Sequence, residues 1–178
     1  MLSSPRPDQT EGLFAVRPDG SRLQKLQIYA EHVGWNPTGT EILLDRNKIG
    51  GAQKWNWDIW RADAHFNNLV QLSDTPGDDS FGGWSPDGTT IVFSTKRNGH
   101  GDVWLMSRDG TNQRPLLTDA GSQSAEGWLP DGRILIADNT TDSPAWYLLK
   151  PDGSGIVSLL QLHGIDLPVD LSAADTPR

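Results

Sequence analysis

The strongest constraint on the fold of this chain is an internal repeat. Three segments open alike, each with a glycine and a tryptophan followed by a proline turn, at 34–39, 83–88 and 127–132. The tryptophans of these segments are 49 and 44 residues apart. A fixed period of about 40 to 50 residues is typical of proteins built from stacked, similar units. The chain is therefore expected to fold as a row of such units.

A second aromatic residue follows in each unit. It stands at Phe14, Trp60, Trp104 and Trp146, with spacings of 46, 44 and 42 residues. Because these residues recur whatever the neighbouring loops contain, we interpret both aromatic series as packing residues. The glycine before each tryptophan of the first series is expected to allow close approach of the backbone on an inner strand.

Within each unit, short apolar strands alternate with turn residues, and no helical periodicity is present. In the third unit the predicted strands are an inner strand that ends at Trp84, a second over Ile91 to Thr95, a third over Asp102 to Ser107 and a fourth over Arg114 to Leu117. The second strands are apolar on both faces, which favours sheets packed between neighbouring sheets. The prediction is an all-β propeller of four-stranded antiparallel blades, with about four blades present.

Asp-Gly pairs mark the predicted hairpin turns, because glycine tolerates a positive φ. The pairs are Asp19-Gly20, Asp87-Gly88, Asp109-Gly110, Asp131-Gly132 and Asp152-Gly153. Two places in the second unit depart from this pattern. Thr38 stands where the first turn would have its aspartate, and His65-Phe66 stand near the place of the second Asp-Gly pair. The second blade is therefore expected to be the least regular.

The repeat register divides residues 1–165 into four blades, over 1–29, 30–76, 77–120 and 121–162, followed by a tail or partial next blade over 166–178. In this register blade 1 lacks its inner strand. Two expectations stay open: residues 166–172 supply that strand and close a four-bladed ring, or the chain is a fragment of a propeller with six to eight blades. An unpaired strand edge is usually covered or paired, so self-association through blade 1 is also expected of an isolated chain.

Charge and composition exclude several classes of function. The chain has 23 acidic and 15 basic residues, a net charge of -8, which disfavours binding to nucleic acid. Its apolar runs are far shorter than the roughly 20 residues of a membrane helix, so no membrane insertion is expected. Without cysteine it forms neither disulfides nor thiolate metal sites. Met1 to Pro7 do not have the form of a secretory signal.

Catalytic motifs are not found in the sequence. The segment Gly121 to Ala125 resembles a nucleophile elbow but ends in the wrong residue. The four histidines, at 32, 65, 100 and 163, lie in different units without metal-binding spacing. We therefore predict no enzyme activity, no cofactor and no metal.

The third unit resembles a known repeat family. The run Trp84 to Arg97, followed by Asp102-Val103-Trp104 and Asp109-Gly110, resembles the Pro-Asp-Gly-bearing propeller repeat of TolB. The resemblance implies a non-catalytic scaffold that binds a protein or peptide in the periplasm or cell envelope. Related repeats occur in the propeller domains of dipeptidyl and prolyl peptidases and in some carbohydrate-active enzymes. The alternative is therefore a propeller fragment of one of these enzymes.

The longest connections are expected on the face opposite the Asp-Gly turns, where loops on a rigid frame commonly carry function. Blade 2 has an enlarged loop with Trp55 and Trp57, which have no counterparts in the other blades and are expected either to contact a partner or to cap the barrel end. Other candidate binding residues are Lys54, His100, Asp78 and Asp79, with His32 and Glu126 predicted to line the central channel. A protein or peptide is the expected partner, and a glycan is possible. For Asp78-Asp79 a solvated acidic link is favoured over a cation site.

Overall fold

The structure is a computed structural model that describes residues 13–26, 28, 30, 32–47, 56–119, 121–142 and 145–159. These residues form fourteen strands and no helix. The strands make three four-stranded antiparallel sheets and one two-stranded ribbon. This arrangement agrees with the all-β prediction. With no helix among the described residues, none is long and apolar enough to cross a membrane.

Each sheet is built from consecutive strands. In chain order they are β1 Phe14–Ala15, β2 Gln24–Lys25, β3 Val33–Trp35, β4 Glu41–Asn47, β5 Trp57–Asp63, β6 Val70–Gln71, β7 Asp79–Trp84, β8 Thr90–Thr95, β9 Asp102–Ser107, β10 Arg114–Leu117, β11 Gln123–Trp128, β12 Ile134–Asp138, β13 Ala145–Leu149 and β14 Val157–Leu159. The ribbon β1-β2 belongs to blade 1, and the sheets β3–β6, β7–β10 and β11–β14 are blades 2, 3 and 4. The predicted inner, second, third and fourth strands of blade 3 are all present.

Apolar cores lie between successive blades, because the second and third strands carry apolar side chains on both faces. Between blades 2 and 3 the buried residues are Leu43, Ile59 and Leu72 from one sheet and Trp84, Ile91, Phe93 and Met106 from the other. Between blades 3 and 4 they are Val92, Val103 and Leu105 against Ala125, Ile134, Ile136 and Leu149. Burial of this apolar surface, at about 25 cal/mol per Å², is the main force that holds one sheet on the next.

The inner strands of blades 3 and 4 each contain a bulge, between Phe81 and Gly83 and between Ala125 and Gly127. At the bulges the backbone angle φ is +138° for Gly83 and +149° for Gly127, values that residues with a side chain rarely adopt. Close approach explains other glycines, since a Cβ on Gly82 would lie 2.7 Å from the Cβ of Ala125. The expectation of close approach holds for Gly34, where a Cβ would lie 2.7 Å from the Phe81 ring, and for Gly127, where it would lie 3.3 Å from the Gly82 carbonyl oxygen. It was wrong for Gly83, which has no atom within 4 Å of such a Cβ and needs glycine for its positive φ.

The strand register corrects the second aromatic series in blade 4. In blade 3, Trp104 pairs with Phe93, and the equivalent partner of Ile136 in blade 4 is Tyr147. Trp146 pairs with Ala137, so it lies on the opposite face of the sheet. The prediction that Trp146 belongs to the series was wrong. Trp146 was chosen because it is a tryptophan like Trp60 and Trp104, but the equivalent position is one residue further along the chain, at Tyr147.

The first aromatic series is not uniformly buried. Trp84 is 7% exposed, but Trp35 is 52% exposed, so the repeated tryptophans do not all pack within a buried core. Trp84 packs against the preceding blade. Trp35 instead makes an edge-to-face contact with Phe66, with ring centroids 6.4 Å apart.

The Asp-Gly turns are held by side-chain hydrogen bonds. Asp109 accepts hydrogen bonds from the backbone N–H of Thr111, at 3.0 Å, and from its hydroxyl, at 2.6 Å. These bonds lower the pKa of Asp109. The same pattern lowers the pKa of the aspartates at 19, 87, 131 and 152. Each glycine of these pairs has a positive φ, as the sequence predicted.

Blade 2 forms both turns without Asp-Gly pairs. Asn36 Oδ1 accepts from the backbone N–H groups of Thr40 and Glu41, which compensates for Thr38. In the second turn Phe66 occupies the glycine position with a φ of 62°. Asp63 supports this turn by accepting from the N–H groups of His65 and Asn67. Blade 2 is thus irregular in sequence but keeps the hairpins of its neighbours. The predicted roles of residues 1–12 and 166–172 lie outside the described residues.

Candidate functional site

The two ends of the sheets carry different kinds of connection. On one end, which we call the turn face, the Asp87 and Asp109 turns line a shallow depression together with Arg61. On the other end, the loop face, lie the loops 96–101 and 139–142 and the described residues of the links between blades, 73–78, 118–119 and 121–122. The loop face holds the sequence-predicted residues Trp57, Asp78 and His100, so the candidate site is built there.

The link between blades 2 and 3 is held from both sides. The Asp78 carboxylate accepts a hydrogen bond from the backbone N–H of Trp57 at 3.2 Å, and it lies 3.6 Å from Lys96 Nζ. The Lys96 N–H also donates to the Asp78 carbonyl at 2.9 Å. On the blade 2 side, Asn56 donates to the Thr75 carbonyl at 2.8 Å. Three separate chain segments therefore meet at Asp78 and fix its position.

A buried ion pair between Asp79 and Arg97 lies beneath this link. Asp79 is fully buried, accepts from the Thr75 hydroxyl at 3.0 Å and lies 3.7 Å from the guanidinium of Arg97. Arg97 stacks over the Trp104 ring at 4.2 Å and donates to Thr95 Oγ1 at 2.9 Å. The expectation that Asp78 and Asp79 form a solvated acidic link was wrong for Asp79, whose side chain points under the link.

His100 lies beside the same loop. Its Nδ1 is 3.1 Å from Oδ1 of the buried Asp102, although the geometry is not that of a hydrogen bond. The other Asp102 oxygen accepts from Asn98 at 2.7 Å. The His100 side chain remains 41% exposed. The loop 96–101 is therefore anchored at its base and presents Lys96 and His100 to solvent.

The link between blades 3 and 4 is fixed in a similar way. The Gln123 N–H donates to the Gly101 carbonyl at 2.8 Å, and the Asn139 N–H donates to the Ser122 carbonyl at 2.7 Å. Ser122 N–H in turn donates to Thr140 Oγ1 at 2.9 Å. Each of these two links is therefore fixed by hydrogen bonds to the blades on both sides of it.

Glu126 lies on the inner strand β11 and His32 directly precedes the inner strand β3, and the structure does not bring the two side chains together. His32 Nδ1 is 3.1 Å from Asp45 Oδ2, and its side chain is 62% exposed. Ser80 donates to the same Asp45 oxygen at 2.6 Å. Burial raises the pKa of Asp45, and the hydrogen bonds from Ser80, Phe81 and His32 partly offset that rise. Glu126 is exposed and accepts from Ser124 at 2.7 Å.

Two of the predicted site residues lie outside the described part of the chain, and three residues of the site were not predicted from the sequence. Trp55 and Lys54 lie outside the described residues. Lys96 and Arg97 were not singled out from the sequence, although the loop that contains them was. Asp45 was also not predicted. The feature that could have indicated it is a carboxylate directly after the apolar run Ile42 to Leu44, at the position that Ser94 holds in blade 3.

The described part of the chain contains no metal-binding cluster, and Ser80, which shares Asp45 with a histidine, does not form a catalytic pair. No group of three or more histidine, aspartate or glutamate side chains is placed there to hold a metal ion. Ser80 donates to Asp45 and not to His32, so this serine is not paired with a histidine base. What the loop face offers is an aromatic residue, a carboxylate, an ammonium group and an imidazole on a fixed frame.

Comparisons with known proteins agree with the blade architecture. No protein-family model matches the chain. The chain is 34% identical over 86 residues to the Tol-Pal system protein TolB of Anaeromyxobacter dehalogenans strain 2CP-C, a match that covers 48% of this chain and 18% of that protein. The TolB of Anaeromyxobacter sp. strain K matches to the same extent. The chain thus matches less than a fifth of the length of these relatives.

Solved structures show the same fold at lower identity. A putative TolB from Agrobacterium tumefaciens superposes with a TM-score of 0.66 and 20% identity, over 78% of this chain and 52% of that one. A puromycin hydrolase superposes with a TM-score of 0.66 and 16% identity, over 84% of this chain and 26% of that one. At these identities the likeness shows the fold alone. The sheets described above are TolB-like propeller blades.

Proposed function

We propose that these TolB-like propeller blades form a non-catalytic binding scaffold whose loop face binds a protein or peptide. The observation that carries the proposal is the convergence of Trp57, Asp78 and Lys96. They come from three chain segments and are joined by the 3.2 Å and 3.6 Å contacts of the Asp78 carboxylate. Groups held in place before binding lose little conformational entropy when a partner docks.

The chemistry of this surface suits a polypeptide partner. Lys96 and His100 are 63% and 41% exposed, and Trp57, whose backbone N–H contacts Asp78, is partly exposed. Tryptophan supplies apolar contact area at interfaces, and the charged groups supply orientation. The similarity to Tol-Pal system proteins supports a protein partner and a place in the periplasm or cell envelope. The envelope assignment is tested by fractionating cells that express the full gene product.

The test of binding uses a random-peptide phage library panned against the chain. Selected peptides are then titrated against the wild type and against Trp57→Ala and Lys96→Ala variants. We expect each substitution to weaken binding at least about tenfold, or 1.4 kcal/mol, without a large change in melting temperature. Lys150→Ala is the matched control, because Lys150 lies beside the Asp131 and Asp152 turns on the turn face, and it should leave the Kd unchanged.

Three results would contradict the proposal. One is that panning yields only peptides whose affinity depends on turn-face residues such as Lys150. A second is that Trp57→Ala lowers the melting temperature strongly, which would assign the ring to the core. A glycan array probed with the same proteins distinguishes a glycan ligand, because glycan binding lost in Trp57→Ala without any peptide binding would also refute a polypeptide partner.

A further inference from the structure

The loop 96–101 contains the only Asn-Gly pair of the sequence, Asn98-Gly99. The pair closes a tight turn, in which the Gly99 N–H donates to the Lys96 carbonyl at 2.9 Å and Gly99 has a φ of +92°. Both residues of the pair are exposed, and a Cβ on Gly99 would have no atom within 4 Å. The peptide bond that follows Asn98 therefore lies at the surface, with open space beside its glycine.

An asparagine in this setting is subject to spontaneous deamidation, because the following glycine lacks the Cβ that hinders ring closure. The Gly99 nitrogen attacks Cγ of Asn98 and forms an N–C bond, while the side-chain amide leaves as ammonia with the proton of the Gly99 N–H. Water then opens the cyclic imide and gives aspartate or isoaspartate at position 98. The net reaction consumes water and releases ammonia, so it needs no cofactor and no oxidant.

Asn112 provides a comparison within the same blade. It is also exposed and lies in a turn, where its side chain donates to Ser107 Oγ at 3.0 Å. The residue after it is Gln113, whose side chain donates to the Leu72 carbonyl at 3.0 Å. Because a fixed side chain follows Asn112 where Asn98 has a glycine, ring closure is hindered at Asn112.

The Asn98 amide holds the loop on the third strand of blade 3. Its Nδ2 donates to Asp102 Oδ2 at 2.7 Å, and Asp102 is fully buried. The other Asp102 oxygen accepts no hydrogen bond from the described residues, although His100 Nδ1 lies 3.1 Å away. A carboxylate in place of the amide would remove the donor and set a second negative charge against a buried one. Deamidation should therefore release the loop from Asp102.

The same loop contacts both described links of the loop face. At its start the Lys96 N–H donates to the Asp78 carbonyl at 2.9 Å, and Lys96 Nζ lies 3.6 Å from the Asp78 carboxylate. At its end the Gly101 carbonyl accepts from the Gln123 N–H at 2.8 Å. We propose that Asn98 is a site of spontaneous deamidation and that the product frees the loop and weakens both links. The loss of peptide binding that would follow rests on the function proposed above, whereas the modification itself does not.

Peptide mapping of aged protein tests the modification. The purified, folded chain is incubated for several weeks at neutral pH and then digested with trypsin, which releases residues 98–108 as one peptide. Mass spectrometry should show conversion of amide to acid at Asn98 and not at Asn112, with faster conversion in mildly alkaline buffer. An intact Asn98 after this time, or equal conversion at Asn112, would overturn the proposal.

Two substitutions test the consequence without ageing. Asn98→Asp reproduces the aspartate product, and Asn98→Ser is the matched control, because its hydroxyl can still donate to Asp102. Hydrogen–deuterium exchange in segments 96–99 and 121–124 should be at least about tenfold faster in Asn98→Asp than in the wild type and nearly unchanged in Asn98→Ser. Circular dichroism checks that both variants keep their β-sheet content. Equal exchange in Asn98→Asp and the wild type would overturn the release of the loop.

Peptide binding separates this inference from the proposed function. A phage-selected peptide should bind Asn98→Asp at least about tenfold more weakly than it binds Asn98→Ser. Faster exchange of the loop in Asn98→Asp without any loss of peptide affinity would support the modification and its effect on the loop, and it would contradict the loop face as the binding surface.

Discussion

The carboxylate of Asp45 on β4 accepts a hydrogen bond from the backbone N–H of Phe81 on β7, at 3.1 Å. It joins the second strand of blade 2 to the inner strand of blade 3. At the next junction, Ser94 Oγ accepts from the N–H of Ala125 at 2.9 Å. The register places Asp45 and Ser94 at the same position of their blades. A polar side chain at this position therefore accepts a hydrogen bond from a backbone N–H of the bulged inner strand in the following blade.

Removal of the Asp45 acceptor should destabilise the chain. Asp45→Ala leaves the Phe81 N–H and the Ser80 hydroxyl without this partner, and an unsatisfied buried donor costs about 1 to 3 kcal/mol. Asp45→Asn keeps an acceptor oxygen and should lose less. Urea unfolding followed by circular dichroism gives the free energies. Equal stability of Asp45→Ala and the wild type would show that the bond contributes nothing across the junction.

The turn aspartates should make the chain sensitive to acid. Hydrogen bonds from Thr111 lower the pKa of Asp109 below its usual 3.8, and corresponding bonds lower the pKa of Asp87, Asp131 and Asp152. A carboxyl whose pKa is lowered by folding adds stability above its unfolded pKa, and this stability is lost as the pH falls through the folded pKa. The free energy of unfolding should therefore fall as the pH drops below about 4.

The fourfold aspartate-to-asparagine variant at 87, 109, 131 and 152 isolates this effect. Asparagine retains an acceptor oxygen but does not titrate, so the variant should lose less stability between pH 5 and pH 2, values chosen to bracket the usual carboxyl range. Asp45 has the opposite sign, because burial raises its pKa and its contribution declines as the pH rises from 3.8 towards the raised value. Identical pH profiles for the fourfold variant and the wild type would contradict the assignment.

A double substitution should replace the ion pair of Glu41 with Arg61, which joins two strands of blade 2. Glu41 lies 3.1 Å from Arg61 and 2.7 Å from Arg108. The equivalents of Glu41 and Arg61 in blade 3 are Thr90 and Leu105. Glu41→Thr alone leaves the half-buried Arg61 without this carboxylate and should cost about 1 to 3 kcal/mol. Adding Arg61→Leu should restore stability to within about 1 kcal/mol, because apolar packing can replace a partly buried ion pair.

Chemical denaturation of the single and double variants measures this coupling. Arg108→Ala serves as the control, since its side chain is 53% exposed and an exposed ion pair contributes little. A double variant no more stable than Glu41→Thr would show that Arg61 does not depend on Glu41.

The chain should not hydrolyse peptide or ester substrates. Ser80 donates to the Asp45 carboxylate and not to His32, so these residues do not form the serine–histidine pair that activates a nucleophile. Assays with fluorogenic peptides and p-nitrophenyl esters check this expectation, with Ser80→Ala and His32→Ala as controls. Purified activity abolished by either substitution would contradict the scaffold proposal.

Much of the fold was predictable because its determinants are local and periodic. Asp-Gly turns and apolar second strands specify the hairpins of blades 3 and 4, and the four strands of blade 3 match the prediction. The inner-strand bulges were not predictable, because they depend on how two sheets approach each other at Gly82 and Ala125. Trp146 was misplaced because sequence spacing cannot resolve a one-residue change of register, which moves a side chain to the other face.

The candidate site was predictable only in part. Loop length and unmatched tryptophans indicated the correct face for Trp57 and Asp78. The burial of Asp79 and its partnership with Arg97 depend on contacts between segments that are distant in sequence. The role of Asn36 in replacing the missing turn aspartate was likewise hidden, because its side chain bonds four and five residues downstream.

Hydrogen–deuterium exchange of the chain with and without a phage-selected peptide tests the central claim most directly. Binding to the loop face predicts slower exchange in segments 56–60, 74–79 and 96–101, with unchanged exchange in the Asp-Gly turns at 86–89, 108–112 and 151–154. Protection confined to those turns, with none at Trp57, Asp78 and Lys96, would contradict the proposal that the loop face is the binding surface.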